Sequence, residues 1–326
     1  MGSFSQYRDL TKSPIVASLG AAKDLLKDLL ASLGTVRVHR LPIPHEYFVC
    51  ASSPMKQERI RSPLPWMGGK FHLAKRILAS FPPVGAYDLY VEPFGGAAHV
   101  LVQKPPSDHL EVFNDINDDL VNFWLNMRDH ATRMQERLGS LPYARSVYYA
   151  YHKSLYDGTP MDTLERAVRW FYVLRSSFLP EVKNVPSGWS ISSRKKDSSK
   201  GKSYHNVLQV FACLTKRFRS VEIENRDFAP IITQRQSPRT LLYVDPPYIG
   251  VEQYYQYSFT LDDHKRLAVL LNQTQSYVAL SYYPHPLLDS LYPSSHWRRV
   301  SFHTNKHSQR TKKTHDRTQE LLLMNY

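Results

Sequence analysis

The sequence predicts an α/β fold, a doubly wound sheet of Rossmann-like type, from three stretches that each read as a short strand delivering an acid to its C-terminal end. Leu241-Leu242-Tyr243-Val244 is a compact apolar run that stops at Asp245-Pro246-Pro247-Tyr248, and neither a helix nor a sheet ladder continues through two prolines. Leu89-Tyr90-Val91-Glu92 is followed by the turn Pro93-Phe94-Gly95-Gly96 and an apolar helix start from Ala97 to Val102, the first strand-turn-helix of such a unit. His109 to Phe113 is the next strand and ends in Asn114-Asp115-Ile116-Asn117. In open α/β sheets ligands bind beyond the carboxyl ends of the strands. Glu92, Asp115 and Asp245 are therefore expected along one functional rim.

Length and composition bound the rest. The chain has 326 residues, 42% hydrophobic and 22% charged, as an ordinary globular protein does. It has room for one large domain with an insertion, or two domains. Its formal net charge of +13 favours a polyanionic partner, most simply nucleic acid. No apolar run is long enough to span a bilayer, so no membrane partner is expected. Cys50 and Cys213 have no Cys or His neighbours at ligand spacing, which argues against a disulfide framework or a structural zinc and for a reducing, cytoplasmic setting.

Residues 1–58 read as an N-terminal extension. Within Val16 to Leu33, Leu19, Ala22, Leu25, Leu26, Leu29, Leu30 and Leu33 fall at three- and four-residue spacing opposite Lys23, Asp24, Lys27 and Asp28, an amphipathic helix. Charges interrupt its apolar run and no small-residue cleavage pattern follows, so it is not a secretory signal. Pro-rich sequence from Leu41 to Pro54 reads as a linker.

The chemistry suggested by the rim is alkylation of an exocyclic amine. Asp245 and the Pro246 carbonyl offer two acceptors that would draw such a nitrogen towards tetrahedral geometry and free its lone pair, while Tyr248 offers a face for a planar base outside its helix. By itself, Asp-Pro-Pro-Tyr is equally a plain strand-ending turn. The turn after Glu92 lacks the G-x-G-x-x-G spacing, so no pyrophosphate cradle is implied, and a carboxylate there suits an ammonium or sulfonium ligand. An acid at the tip of the second strand is where such folds hold ribose hydroxyls, which selects Asp115. Upstream, Pro65-Trp66-Met67-Gly68-Gly69-Lys70 combines a flat apolar face, a backbone free to approach a ligand, and a lysine opening a helix through Leu73, Ile77 and Leu78.

The order Pro-Trp-x-Gly-Gly-Lys, Val-Glu-Pro-Phe-Gly-Gly, Asn-Asp-Ile-Asn, Asp-Pro-Pro-Tyr and a C-terminal Glu-Leu-Leu-Leu-x-Asn-Tyr resembles the Dam-type family of adenine-N6 DNA methyltransferases over roughly Pro63 to Tyr326. The resemblance implies a Rossmann-like methyltransferase sheet with a helical target-recognition insertion, S-adenosylmethionine as cofactor and double-stranded DNA as partner, with no metal. Carried over residue by residue, Trp66, Lys70 and Asp115 match cofactor-binding positions, and Glu92 and Gly95 match the loop around the methionine end. Asp245 matches the catalytic acid, which also lies near the cofactor. Residues 59–130 and 225–326 would form the catalytic domain and residues 131–224 the insertion. Cytosine-N4 or RNA adenine methylation, and a non-catalytic DNA-binding regulator that keeps the fold, are the alternative readings.

Between the Asp115 and Asp245 strands, Leu120 to Met127 and Met161 to Leu174 read as helices, and Tyr143, Tyr148, Tyr149, Tyr151 and Tyr156 cluster between them, mostly as packing. Arg175-Ser176-Ser177-Phe178-Leu179 departs from the Asn-Gly and Arg-x-Asn pattern of close Dam relatives, which leaves the target sequence open. The polar run from Ser190 to Ser203 reads as a mobile loop, with Arg194, Lys195 and Lys196 as phosphate contacts. After the Asp245 strand come a helix from Leu261 to Leu271 capped by Thr260, and a strand over Tyr277 to Ser281 with Tyr282 and Tyr283 at its ligand-facing end. Arg298 to Val300 and Glu320 to Tyr326 are expected as an antiparallel finishing pair, joined by a loop in which Lys312 and Lys313 are further phosphate contacts.

Overall fold

A computed structural model describes residues 60–180, 183–192, 199–250, 257–305 and 317–326. The expected N-terminal helix, Arg194, Lys195, Lys196, Lys312 and Lys313 lie outside the described residues. The chain divides into two units, Met1–Pro54 and Met55–Tyr326, and all the described residues belong to the second.

The sheet has seven strands: β1 (Leu89–Glu92), β2 (Leu110–Asn114), β3 (Val221–Glu224), β4 (Thr240–Val244), β5 (Tyr277–Tyr282), β6 (Arg298–Asn305) and β7 (Arg317–Met324). Their order is β3-β2-β1-β4-β5-β7-β6. The first five in that order pair in parallel, whereas β7 runs antiparallel to both β5 and β6. The chain thus winds outward from β1 in one direction, returns to β4 beside it, and then winds the other way. That reversal between β1 and β4 is the switch point at which doubly wound sheets open a crevice. β4 is buried along its whole length, which is why its sequence is an unbroken apolar run rather than an alternating one.

Helices cover both faces. In chain order the first are α1 (Ala74–Leu78), α2 (His99–Gln103), α3 (Asp118–Asp129), α4 (Ala131–Ser140), α5 (Arg145–Tyr156) and α6 (Thr163–Ser176). They are followed by α7 (Lys200–Val207), α8 (Phe211–Phe218), α9 (Phe228–Arg235), α10 (Leu261–Gln273) and α11 (Leu287–Leu291). Local signals set their ends. The Asn117 side chain caps α3 by accepting from the Leu120 amide, and Thr260 and Asp263 form a reciprocal capping box at α10. The helix expected from Ala97 begins two residues later, because Gly96 and Ala98 are both left-handed, at φ of 50° and 54°.

Two apolar clusters flank the sheet. The first joins its β1-β2-β4 face to α3 through α8, with Trp124 stacked on Phe218 at 4.4 Å and Phe123 on Phe171 at 5.3 Å. The second packs α9, α10 and α11 on the other face around Leu242, Val244 and Leu280. The helices between β2 and β3 therefore share a core with the sheet, and β3, which falls inside the range expected for the insertion, is itself a strand of that sheet. Within these helices Tyr148 is buried, whereas Tyr149 is 44% exposed. The polar run expected as a loop up to Ser203 is helical from Lys200. Ser199 caps the first turn, and the buried Tyr204 anchors the second by donating to the Leu138 carbonyl.

Candidate active site

The ends of β1, β2 and β4 and the turn before α1 converge on one cavity of about 1140 Å³, counted out to its open mouth. Its walls include Trp66, Gly69, Lys70, Glu92, Gly95, Gly96, Asp115 and Asp245. Every residue that sequence reasoning assigned to a cofactor thus lies on one surface, although they span positions 66 to 245. Phe94, Ile116, Trp170 and Phe259 complete the apolar wall. Phe94 is held by stacking on Phe228 at 5.2 Å and by the edge of Phe259 at 5.7 Å.

The glycine turn is shaped by its neighbours. A side chain at Gly95 would strike the Phe113 ring at 2.1 Å, and one at Gly96 would meet Trp66 Nε1 at 2.8 Å. Trp66 is thereby laid against the turn, with its ring 6.3 Å from that of Trp170. Asp115 braces the same turn from below: one carboxylate oxygen accepts from the Gly96 amide at 2.9 Å and the other from the Asn117 amide at 2.9 Å. Burial raises the Asp115 carboxyl above its usual range, opposed by the Asn117 and Gly96 amides.

Glu92 is more extreme. Burial pushes it up to about 8, partly offset by the Tyr90 hydroxyl, which donates to it at 2.6 Å, and reinforced by the charge of Asp245. At neutral pH it holds a proton that a nearby cation would displace. His99, another residue of the cavity wall, is brought down to about 4 by burial and by the charges of Lys70 and His72, so it is neutral there.

Asp245 emerges from the end of β4 with its side chain 19% exposed, facing the cavity. Lys70 Nζ lies 2.9 Å from its Oδ1 and also donates to the Gly68 carbonyl at 2.6 Å. Burial raises the Asp245 carboxyl, Lys70 opposes this, and the charge of Glu320 adds to it. Pro246 is buried and Pro247 reaches the cavity wall. Tyr248 is 3% exposed and offers no open face. Its hydroxyl, drawn to Glu320 at 2.6 Å and Asp245 at 3.0 Å, turns the ring into the rim. There it meets Tyr283 edge-on at 4.5 Å and lies under Lys70 Nζ at 4.9 Å from its centre. Tyr283 stands at this rim as expected of the end of β5, while Tyr282 is wholly buried against His264.

Three groups at this site were not singled out from sequence: Glu320, His99 and Tyr90. Glu320 had a legible signal, an acid at the head of an otherwise apolar strand. Because β7 is antiparallel, with Leu321 opposite Tyr282, its early residues stand level with the rim that the parallel strands reach at their ends. His99 and Tyr90 sit within apolar runs and gave no such signal.

The cavity wall carries three carboxyl groups, Glu92, Asp115 and Asp245, against one lysine among the described residues. That surplus, next to a flat indole and a turn without side chains, fits a cationic ligand with a planar ring and sugar hydroxyls. No group of three or more His, Cys, Asp or Glu among the described residues is arranged to hold a metal. No described helix is long and apolar enough to cross a membrane.

Residues 66–311 match the family described as D12 class N6 adenine-specific DNA methyltransferase. The chain is 28% identical over 284 residues to a type II methyltransferase of Lactococcus lactis subsp. cremoris, an alignment covering 80% of this chain and 94% of that protein. It is 26% identical to a DNA N-6-adenine-methyltransferase of Escherichia phage P1, over 65% of this chain and 28% of that protein. It is 24% identical to a DNA adenine methylase of Haemophilus influenzae, over 58% of this chain and 64% of that protein.

Proposed function

We propose that this chain, which belongs to the D12 class N6 adenine-specific DNA methyltransferase family, transfers a methyl group from S-adenosylmethionine to the exocyclic amine of an adenine drawn out of double-stranded DNA. The observation that carries the reading is that Asp245, the acid ahead of the proline pair, lines the same cavity as the Gly95-Gly96 turn, Lys70 and Asp115. The amine acceptor and the cofactor-type residues therefore face one space.

When bound, S-adenosylmethionine supplies a methyl group on a sulfonium, whose sulfur departs with the bonding pair as a neutral thioether. This chain's residues would do the rest. Trp66 and the apolar wall receive the adenine ring of the cofactor, Asp115 its ribose, and Glu92 with the Gly95 turn its cationic end. Asp245 and the Pro246 carbonyl accept from the two N–H groups of the target amine and hold its nitrogen in line. The nitrogen becomes acidic on gaining the methyl group, so its extra proton can pass to Asp245 or to water without a strong base. Orientation of two bound reactants supplies on the order of 7–11 kcal/mol in favourable cases. Stacking of the target base on Tyr248 requires that ring to be uncovered from Lys70 and Tyr283.

The net charge of +13 supports a DNA partner. We assign Arg194, Lys195, Lys196, Lys312 and Lys313 to phosphates, and target recognition to helices α4 to α8 within residues 131–224. Incubation with labelled S-adenosylmethionine and separate DNA and RNA duplexes, followed by digestion and identification of the modified base, tests the reading. N6-methyladenine in DNA is the expected product. N4-methylcytosine, labelled RNA or no transfer at all would overturn it. Asp245→Ala should reduce transfer by at least on the order of 10²–10³-fold, as loss of a transition-state hydrogen-bonding group does elsewhere, while the protein stays folded. Near-normal turnover would remove Asp245 from the mechanism.

A further inference from the structure

Glu320 is a buried acid with no place in the mechanism above. It is 6% exposed and comes from β7, far along the chain from the other rim groups. Its Oε1 accepts from the Tyr248 hydroxyl at 2.6 Å and lies 3.3 Å from Lys70 Nζ. Those two donors are the same two that occupy Asp245 Oδ1, at 3.0 Å and 2.9 Å. One ammonium and one phenol are thus shared between two carboxylates.

The sharing matters because of what Asp245 must do. A carboxylate oxygen already holding an ammonium and a hydroxyl is a poor acceptor for an incoming amine N–H, and its electron density is drawn away from the target. A phenol has a single proton to donate, and its shorter contact is to Glu320. The lysine needs an anion wherever it goes, since an unpaired buried ammonium is strongly disfavoured. Besides Asp245, Glu320 is the carboxylate among the described residues that both donors reach.

Resting on the function proposed above, we propose that Glu320 is a positioning residue: it offers a second anion to the Tyr248 hydroxyl and to the Lys70 ammonium, which here lies nearer Asp245, and their transfer to it opens Asp245 to accept from the target amine. It touches neither reactant. Its charge also acts on Asp245, together with the other groups packed against that carboxyl: Lys70 from the turn before α1, Glu92 from β1, Tyr243 from β4, Tyr248 from the turn after β4 and Tyr283 after β5. Of these, Glu320 raises it, and Lys70 and the Tyr248 hydroxyl lower it.

The test compares wild type with Glu320→Gln and Glu320→Asp in three readouts: the pH profile of kcat for DNA methylation, the Kd for S-adenosylmethionine by equilibrium dialysis, and the thermal melt. Glu320→Gln removes the charge and leaves Lys70 wholly on Asp245. The expected result is a kcat lowered at least tenfold, a cofactor Kd within threefold of wild type, and an acidic limb of the kcat profile moved to lower pH. Glu320→Asp keeps the charge but shortens the reach, so kcat should fall while the limb stays near its wild-type position. A lowered kcat with an unmoved limb in Glu320→Gln marks a merely structural role and overturns the proposal, as does wild-type kcat in that variant. If Glu320→Gln melts out below the assay temperature, Glu320→Asp decides, and unchanged kcat there overturns it. Wild-type protein that labels no adenine would instead refute the underlying function, whatever Glu320 does.

Discussion

Replacing Glu92 by Gln should change how the stability of this protein depends on pH, in a direction and window that its surroundings fix. The Glu92 carboxyl, pushed up to about 8 by burial against an ordinary value of 4.5, keeps its proton in the folded protein where the unfolded chain has lost it. Between those two pH values the native state binds more protons, so stability falls as pH rises. At about 1.4 kcal/mol per pH unit the whole interval amounts to about 5 kcal/mol. His99 acts oppositely. Held near 4 against an ordinary 6.5, it binds fewer protons when folded, and stability rises by about 3 kcal/mol as pH climbs through that range. The two slopes cancel up to about pH 6.5, and above it Glu92 alone takes away about 2 kcal/mol by pH 8. Gln keeps the acceptor for the Tyr90 hydroxyl and cannot ionise. The variant should therefore gain stability up to pH 6.5 and not pass through the later fall. Urea denaturation at pH 5.5, 6.5 and 8.5 and fixed ionic strength reads this. Asp115 and Asp245, also raised by burial, remain in both proteins, so the difference curve reports mainly Glu92. A difference that stays constant within about 0.5 kcal/mol between pH 6.5 and 8.5 would refute a proton on Glu92, since about 2 kcal/mol is required.

Gly95→Ala places a methyl group 2.1 Å from the fully buried Phe113 ring, which cannot withdraw without disturbing the Trp124 and Phe218 stack behind it. The expected cost is about 1–3 kcal/mol by overpacking, read as a lowered urea midpoint, with a weakened Kd for S-adenosylmethionine by dialysis. Glu111→Gln removes the anion shared by Arg217 and Lys104, which are 3% and 5% exposed in their side chains. Leaving those cations buried should cost about 3–5 kcal/mol by the same urea measurement; a loss under about 1 kcal/mol would show that water reaches the pair.

Legibility in the sequence followed chain locality. Strand ends were legible because the acids proposed to act stand beside the residues that stop each strand: Asp245 precedes two prolines, Glu92 a glycine turn, and Asp115 a helix cap at Asn117. Those carboxyls converge on one cavity because the parallel strands β1, β2 and β4 all end on the same side. What was not legible depends on lateral neighbours. Tyr248 reads locally as an exposed aromatic after a turn, yet Glu320, brought alongside by an antiparallel strand 72 residues later, turns its ring inward. The helix from Lys200 was hidden because its anchor, Tyr204, stands just beyond the polar run and packs against α4 through the Leu138 carbonyl. His99 lies in an apolar helix start, and only the close approach of Gly69, where a side chain would meet its Nε2 at 2.5 Å, reveals that it faces the cavity wall.

The charge arrangement at the rim explains why a protein with a surplus of basic residues keeps its acids so concentrated. Folding brings Glu92, Asp115, Asp245 and Glu320 to the same strand ends, where mutual repulsion in a poorly hydrated space would disfavour the sheet order itself. The chain answers in three physically different ways. Glu92 is held protonated by burial, Asp115 accepts from the Gly96 and Asn117 amides, which stabilise its charge, and Asp245 and Glu320 divide one lysine. Two of these answers are reversible by a cation: a proton can leave Glu92, and Lys70 can move from one carboxylate to the other without losing an ion pair. A pocket built this way stays stable without a ligand and attracts a positively charged one, whereas the same acids fully paired with fixed arginines would be stable and inert. The contrast is visible within this molecule, where Glu111 on β2 is gripped by Arg217 and Lys104 and is not among the residues that wall this cavity.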